Sequence, residues 1–225
     1  MVIAVWLAGT AGLAEGWVPV PRPPDRPEPA GGFELGRCEV TAGEFAAYLN
    51  RAGVADFPET VQIFRREGGE YAVRPALDRQ AVAEVTPAEA EEYCRWRSQQ
   101  EGRTIRLPTE AEWETAARGG VDGAPYPWGW GGKPNEMARF AAPGPAKRGG
   151  MFPANGFGLY DMAGNLYEWC ATVPKDPPDQ RAARGGSWAE RDPARLEVAH
   201  RQLFPAAYRG RDAGFRVLRE PLKEE

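Results

Sequence analysis

Apolar and polar residues alternate along Phe33-Glu34-Leu35-Gly36-Arg37-Cys38-Glu39-Val40, which predicts a strand. Three helix starts follow, each written with the same device. Thr41-Ala42-Gly43-Glu44, Thr86-Pro87-Ala88-Glu89 and Thr109-Glu110-Ala111-Glu112 all place Glu three residues after Thr. In such a capping box the hydroxyl accepts from the N–H three residues on, and the carboxylate reaches back to the Thr N–H. Phe45, Tyr48 and Leu49 fall on one face of the first helix, and Gly53, Gly102 and Gly119-Gly120 provide the three stops. Val61–Phe64 and Tyr71–Val73 flank a Gly68-Gly69 turn and predict a hairpin. From Gly120 to Gly158 no period is sustained. Gly158–Trp169 and Arg184–Trp188 then read as short strands joined by a Pro-rich loop, 174–183, and Gly214–Leu218 as the final strand.

Both ends of the N-terminal region resist this reading. Val18–Ala30 carries six prolines, which exclude a helix and predict an extended surface segment. Residues 1–16 are mostly apolar and leave two alternatives open: a buried first strand over Val2–Leu7, or a signal-like segment cleaved after Ala14. The first lacks nothing a strand needs; the second lacks a basic start. Export to the cell surface would follow from cleavage, and a cytoplasmic or virion-associated location from its absence.

Composition sharpens the class. A 225-residue chain with 42% hydrophobic residues can bury a core, and 27 Gly, 22 Pro and 8 Trp point to much irregular backbone organised by large flat rings. The expectation is a loop-rich α+β fold. A net charge of −4 argues against nucleic acid as a partner, and no apolar stretch is long enough for a membrane span. Cys38, Cys94 and Cys170 make no disulfide framework, although a Cys38–Cys170 bridge stays open.

Seven motifs then occur in order: FELGRCEVT (33–41), VTPAEAEEYCRW (85–96), RLPTEAEWETAA (106–117), YPWG (126–129), NGFGLYDMAGNLYEW (155–169), RGGSW (184–188) and GFRV (214–217). Together they resemble the formylglycine-generating-enzyme, or sulfatase-modifying factor, domain over residues 17–219. The resemblance implies a C-type-lectin-like α+β fold with low regular content.

It also implies where chemistry should sit, and there the chain departs. Enzymes of that family hold copper with two cysteines shortly after the GGSW motif. Here Ser187-Trp188 is followed by Ala189-Glu190-Arg191-Asp192-Pro193-Ala194-Arg195, with Glu190 and Arg195 near the two positions. Copper(I) wants thiolates, so no copper and no oxidase activity are expected. A related branch uses a histidine-rich iron site, but His200 is the only histidine. The resemblance does place a structural calcium ion on Asp161, Gly164, Leu166 and Glu168, two carboxylates and two carbonyls of the kind calcium accepts. The alternative is an Asx turn at Asp161 and a capping role for Glu168, with no metal.

The segment 184–216 is the expected ligand-binding surface for an unidentified protein or small molecule. Its candidate contacts are Ala189, Glu190, Arg191, Asp192, His200, Gln202, Phe204, Ala206, Tyr208, Gly210 and Asp212. Aromatic rings and guanidinium groups are the side chains that carry binding energy at surfaces. The layout also resembles the variable proteins of diversity-generating retroelements, whose hypervariable stretch lies between GGSW and GFR motifs. In that case Glu190 and Gln202 would be fixed, since neither arises from adenine-directed mutation of AAY codons. The expected function is a non-catalytic binding module, with a secreted, inactive accessory paralogue as the alternative. Prolines in loops and abundant arginine predict heat resistance.

Overall fold

The computed structural model describes residues 16–21, 32–174 and 179–221. The N-terminal segment 1–14, with its strand and signal alternatives, lies outside the described residues.

All three predicted helices form, each with its complete capping box: α1 (Ala42–Arg51), α2 (Pro87–Glu101) and α3 (Glu110–Arg118). α2 and α3 end on glycines in the left-handed region, Gly102 and Gly119. A short α4 (Pro134–Met137) interrupts the long irregular stretch.

Strands assemble into three sheets. The first runs β1 (Trp17–Val20), β2 (Phe33–Gly36), β10 (Leu218–Arg219), β5 (Ile105–Arg106), and so joins both ends of the domain. The second is the hairpin β3 (Ile63–Arg65) and β4 (Tyr71–Val73). The third runs β8 (Gln202–Pro205), β7 (Gln180–Arg184), β6 (Tyr167–Trp169), β9 (Ala213–Gly214), with β6 and β9 parallel.

Several expectations need correction. Part of the proline-rich segment is a strand: Trp17–Val20 pairs with β2, burying Val18 and Val20 and exposing Pro19. Proline is tolerated because β1 is an edge, where a missing N–H removes no ladder bond. Residues 158–166 are irregular, and only Tyr167–Trp169 is strand. The Arg184–Trp188 strand lies earlier, at 180–184, because Gly185 and Gly186 take φ of +92° and +73° and turn the chain. The final strand is split into β9 and β10 around Phe215–Val217, and all three cysteines are free and buried, so no Cys38–Cys170 bridge exists.

The main core is aromatic. The Phe45 ring lies 5.3 Å from Tyr48, 5.3 Å from Phe57, 5.9 Å from Tyr93 and 6.1 Å from Phe215. Such pairs each add roughly 0.5–1.5 kcal/mol beyond area burial. Trp113, fully buried under α3, anchors a second cluster with Val18, Leu35 and Leu218.

Candidate functional site

The site is built on the third sheet. β6 places Tyr167 and Trp169 beneath β8, and the Phe204 ring meets both edge-on at 5.3 and 5.6 Å. Phe204 stacks on Tyr208 at 4.3 Å. A Pro205–Tyr208 turn, closed by the Tyr208 N–H to the Pro205 carbonyl at 2.8 Å, returns the chain over this floor. Tyr167 and Trp169 are buried; Phe204 and Tyr208 are half-buried.

The loop after GGSW is pressed against this floor. A Cβ on Gly186 would stand 2.7 Å from the Arg195 carbonyl oxygen, so only glycine lets the loop fold back over the motif. Asp192 caps the short 3-10 helix Pro193–Leu196 by accepting from the Ala194 N–H. Arg184 secures the far end. Its Nη1 donates to the carbonyls of Val198, Ala199 and His200, and its Nη2 to Glu114 at 2.8 Å.

Polar side chains converge on Tyr167. Its hydroxyl donates to Glu190 Oε1 at 2.8 Å, and desolvation with that bond pushes the phenol well above its usual range. Tyr208 likewise donates to Asp212 Oδ1 at 2.7 Å and is pushed up, first by burial and then by that bond. Arg195 Nη1 and His200 Nε2 lie 3.4 Å apart, and burial together with that guanidinium lowers the imidazole below its ordinary value. Trp188 donates to the Arg211 carbonyl at 3.1 Å and ties the two ends of the segment together.

The candidate positions thus divide. Glu190, Phe204 and the Asp212 carbonyl meet Tyr167, Tyr208 stacks on Phe204, and His200 lies against Arg195. Ala189 and Arg191 are exposed, Gln202 turns its amide to the Leu203 carbonyl, and Ala206 donates its N–H to the Asp179 carbonyl. Gly210 lies against Tyr208 and Asp212. Tyr167 escaped the sequence reading because it precedes the segment. Its place in Tyr167-Glu168-Trp169, one strand face away from Glu168, was the available signal.

The residues present do not fit a paired-thiolate copper site. Glu190 and Arg195 offer no sulfur. Cys38 and Cys94 are buried, with thiols pushed up to about 12 chiefly by desolvation, and Cys170 is pushed up for the same reason. Cys94 and Cys170 belong to separate core clusters.

The expected calcium ligands sit in a buried charge cluster beneath the floor. Both Glu168 oxygens are engaged: Oε2 by Trp113 Nε1 at 2.7 Å and Arg216 Nε at 2.6 Å, Oε1 by Arg216 Nη2 at 2.5 Å. Asp161 Oδ2 accepts the Gly150 N–H at 2.8 Å, and burial raises its carboxyl to about 6. Glu39 Oε1 accepts from Asn165 at 2.8 Å, while its Oε2 is buried with no hydrogen-bond partner. Gly164 gives its N–H to the Gly185 carbonyl. Arg216 therefore supplies the positive charge at Glu168. Among the described residues no three His, Cys, Asp or Glu side chains are grouped to hold a metal ion, and no helix is long and apolar enough to cross a membrane.

Comparison with known proteins agrees with this architecture. Residues 8–221 match the sulfatase-modifying factor enzyme 1-like domain. Inactive C-alpha-formylglycine-generating enzyme 2 of Mus musculus is 43% identical over 122 residues, 48% of this chain and 38% of that protein. Formylglycine-generating enzyme of Mycobacterium tuberculosis is 46% identical over 105 residues, 40% of this chain and 33% of that protein. The chain thus spans 33–38% of the length of these two relatives. Treponema denticola variable protein 1 shares the fold with a TM-score of 0.68 at 22% identity, covering 85% of each chain. The chain belongs to the sulfatase-modifying factor enzyme 1-like domain family, with a C-type-lectin-like, loop-rich α+β fold.

Proposed function

We propose that the chain is a non-catalytic binding module whose ligand docks on the face formed by β8, the Pro205–Tyr208 turn and the loop after Trp188. One observation carries this reading. Where the family's oxidase chemistry needs two thiolates, the chain has Glu190 bonded to Tyr167 and Arg195 beside His200. A carboxylate and a guanidinium cannot hold copper(I) for oxygen activation. They suit recognition instead, because fixed charges around a half-exposed aromatic floor are the make-up of a binding hot spot. Similarity to a relative described as inactive supports the same reading. The test has two arms. Copper(I) titration with a cysteine peptide should give neither tight binding nor oxidation. Peptide and glycan arrays should give ligands lost in a Phe204→Ala variant. Turnover of the peptide thiol would overturn the proposal.

The bracketing motifs Arg184–Trp188 and Gly214–Arg216 favour one specialised form, a retroelement-diversified variable protein. The genome would then carry an adenine-rich near-copy of the intervening segment. A complete genome without that copy removes this form and leaves the binding module standing.

A further inference from the structure

The chain has four asparagines, and only Asn155 is followed by glycine. Asn50, Asn135 and Asn165 precede Arg51, Glu136 and Leu166, whose side chains crowd the peptide nitrogen between them. Glycine has no Cβ, so the Gly156 nitrogen can approach the Asn155 side-chain amide with the least hindrance in the sequence. Gly156 is also exposed, so water reaches the pair.

Hydrogen bonds, rather than burial, hold this pair apart. Asn155 Nδ2 donates to the carbonyls of Ala116, at 2.7 Å, and Ala117, at 3.1 Å. Both belong to the last turn of α3, whose carbonyls find no partner further along the helix. Asn155 Oδ1 accepts the N–H groups of Phe157 and Leu159, each at 3.1 Å. The backbone closes around the side chain: the Asn155 N–H donates to the Leu159 carbonyl and the Gly158 N–H to the Asn155 carbonyl, both at 2.9 Å. A Cβ on Gly119 would stand 2.7 Å from the Gly156 nitrogen, and a Cβ on Gly156 would collide with the Gly119 carbonyl oxygen. Asn155 Cγ therefore cannot turn toward the Gly156 nitrogen without releasing four side-chain bonds at once.

We infer that Asn155-Gly156 is a self-modification site, shut while Asn155 caps the end of α3 and released when that end opens. The Gly156 nitrogen attacks Asn155 Cγ. A nitrogen–Cγ bond forms, the Cγ–Nδ2 bond breaks, and ammonia leaves with the Gly156 amide proton. Water then opens the cyclic imide at one or the other carbonyl, which gives aspartate or isoaspartate at position 155. Water is the one co-reactant and nothing is oxidised or reduced. Neither product rebuilds the joint. Aspartate has no N–H for the Ala116 and Ala117 carbonyls and sets a negative charge against them. Isoaspartate lengthens the backbone by a methylene where Gly119 and Gly156 leave no room for a Cβ. α3 also carries Trp113, which donates to Glu168 at 2.7 Å, and Glu114, which accepts from Arg184 at 2.8 Å. A transient opening of the α3 end thereby becomes permanent, beside groups that support the candidate face.

The full chain, aged at mildly alkaline pH in buffer and in unfolding urea, tests the inference. Peptide mass spectrometry reads amide-to-acid conversion at each asparagine, and an isoaspartyl methyltransferase reads isoaspartate. Conversion at Asn155 should be faster in urea than in buffer by about tenfold or more, because opening must precede it in the folded chain. In urea Asn155 should also convert faster than Asn50, Asn135 and Asn165. Equal rates in buffer and urea would overturn the gate, and a faster Asn135 in urea would overturn the site. Gly119→Ala presses a Cβ on the Gly156 nitrogen and should raise conversion in buffer; a folded variant that converts no faster than the parent would place the gate elsewhere and overturn the assignment to α3. Refolding of the urea-aged parent needs no variant. Modified chains should collect in the protease-sensitive fraction, and an equal share of them among the protease-resistant chains would overturn the claim that the joint cannot be rebuilt.

Discussion

Arg216 holds Glu168 through both carboxylate oxygens, at 2.6 and 2.5 Å, with both side chains at 1% exposure or less. The guanidinium also donates to the carbonyls of Gly36, at 3.1 Å, and Tyr160, at 2.9 Å. The last strands are thereby tied to β2, to the loop before β6 and to the Trp113 indole. Removing one member leaves an uncompensated buried charge, which costs on the order of 3–5 kcal/mol. Arg216→Leu should therefore unfold at much lower denaturant than the parent. Glu168→Gln should be destabilised too, since the guanidinium then loses its hydrogen-bonded counter-charge. Urea titrations followed by Trp fluorescence measure both, and a loss below about 1 kcal/mol in either would contradict the arrangement.

The same cluster sets a pH dependence. Asp161 is raised to about 6, chiefly by burial, and burial raises Glu39 as well. The folded state thus binds these protons more tightly than the unfolded chain does. The contribution of Asp161 to stability should be fully present below the unfolded carboxyl range and be lost as pH rises from about 4 through 6, by on the order of 2–3 kcal/mol. Asp161→Asn carries no titrating proton, and its stability should change less between pH 5 and 7. Unfolding midpoints at the two pH values check this; identical pH profiles for parent and variant would count against it.

Local chemistry was legible where it is self-contained. A capping box needs only two residues three apart, so all three helix starts were readable from sequence. The Gly185-Gly186 turn was not, because its cause lies elsewhere: Trp113 and the Arg195 backbone crowd the two glycines. β5 and β8 escaped notice because strands of two to four residues have no measurable period. At the site, the aromatic floor was half visible. Phe204 and Tyr208 stood out as residues, but their stacking depends on Tyr167 and Trp169 from another strand. The Arg216–Glu168 pair was not legible, because its two members lie 48 residues apart in sequence.

Calcium has a direct test. With Arg216 on Glu168 and the Gly150 N–H on Asp161, both carboxylates of the expected ligand set carry protein donors. Chelation with EDTA should leave the melting temperature unchanged to within about 2 °C. A larger drop, reversed by added calcium, would mean that a cation shares the cluster, since a bound ion stabilises by mass action.

The expected heat resistance would rest on arginines that bridge elements far apart in sequence. Arg219 binds Glu34 through two bonds, at 2.9 and 2.8 Å; Arg103 adds a contact to Glu34 at 3.3 Å, and Arg219 reaches Glu101 at 3.5 Å. Arg97 bonds Glu101 at 2.7 Å, and the Trp17 ring lies 5.1 Å from the Arg97 guanidinium and 4.4 Å from that of Arg219. These groups are partly exposed, and isolated pairs of that kind are worth little. A connected network gains with temperature, because the cost of dehydrating its charges falls as water warms. The parent should melt above the mesophile range of about 45–65 °C. Arg219→Ala removes two ion pairs and a ring contact from the junction of β1, β2 and α2, and should lower the midpoint by about 2–4 °C per kcal/mol lost. High salt should narrow the gap between parent and variant, because screening weakens the exposed pairs first. Calorimetry at low and high salt decides the matter: a gap that salt does not change would assign the loss to packing around Trp17 rather than to the charges.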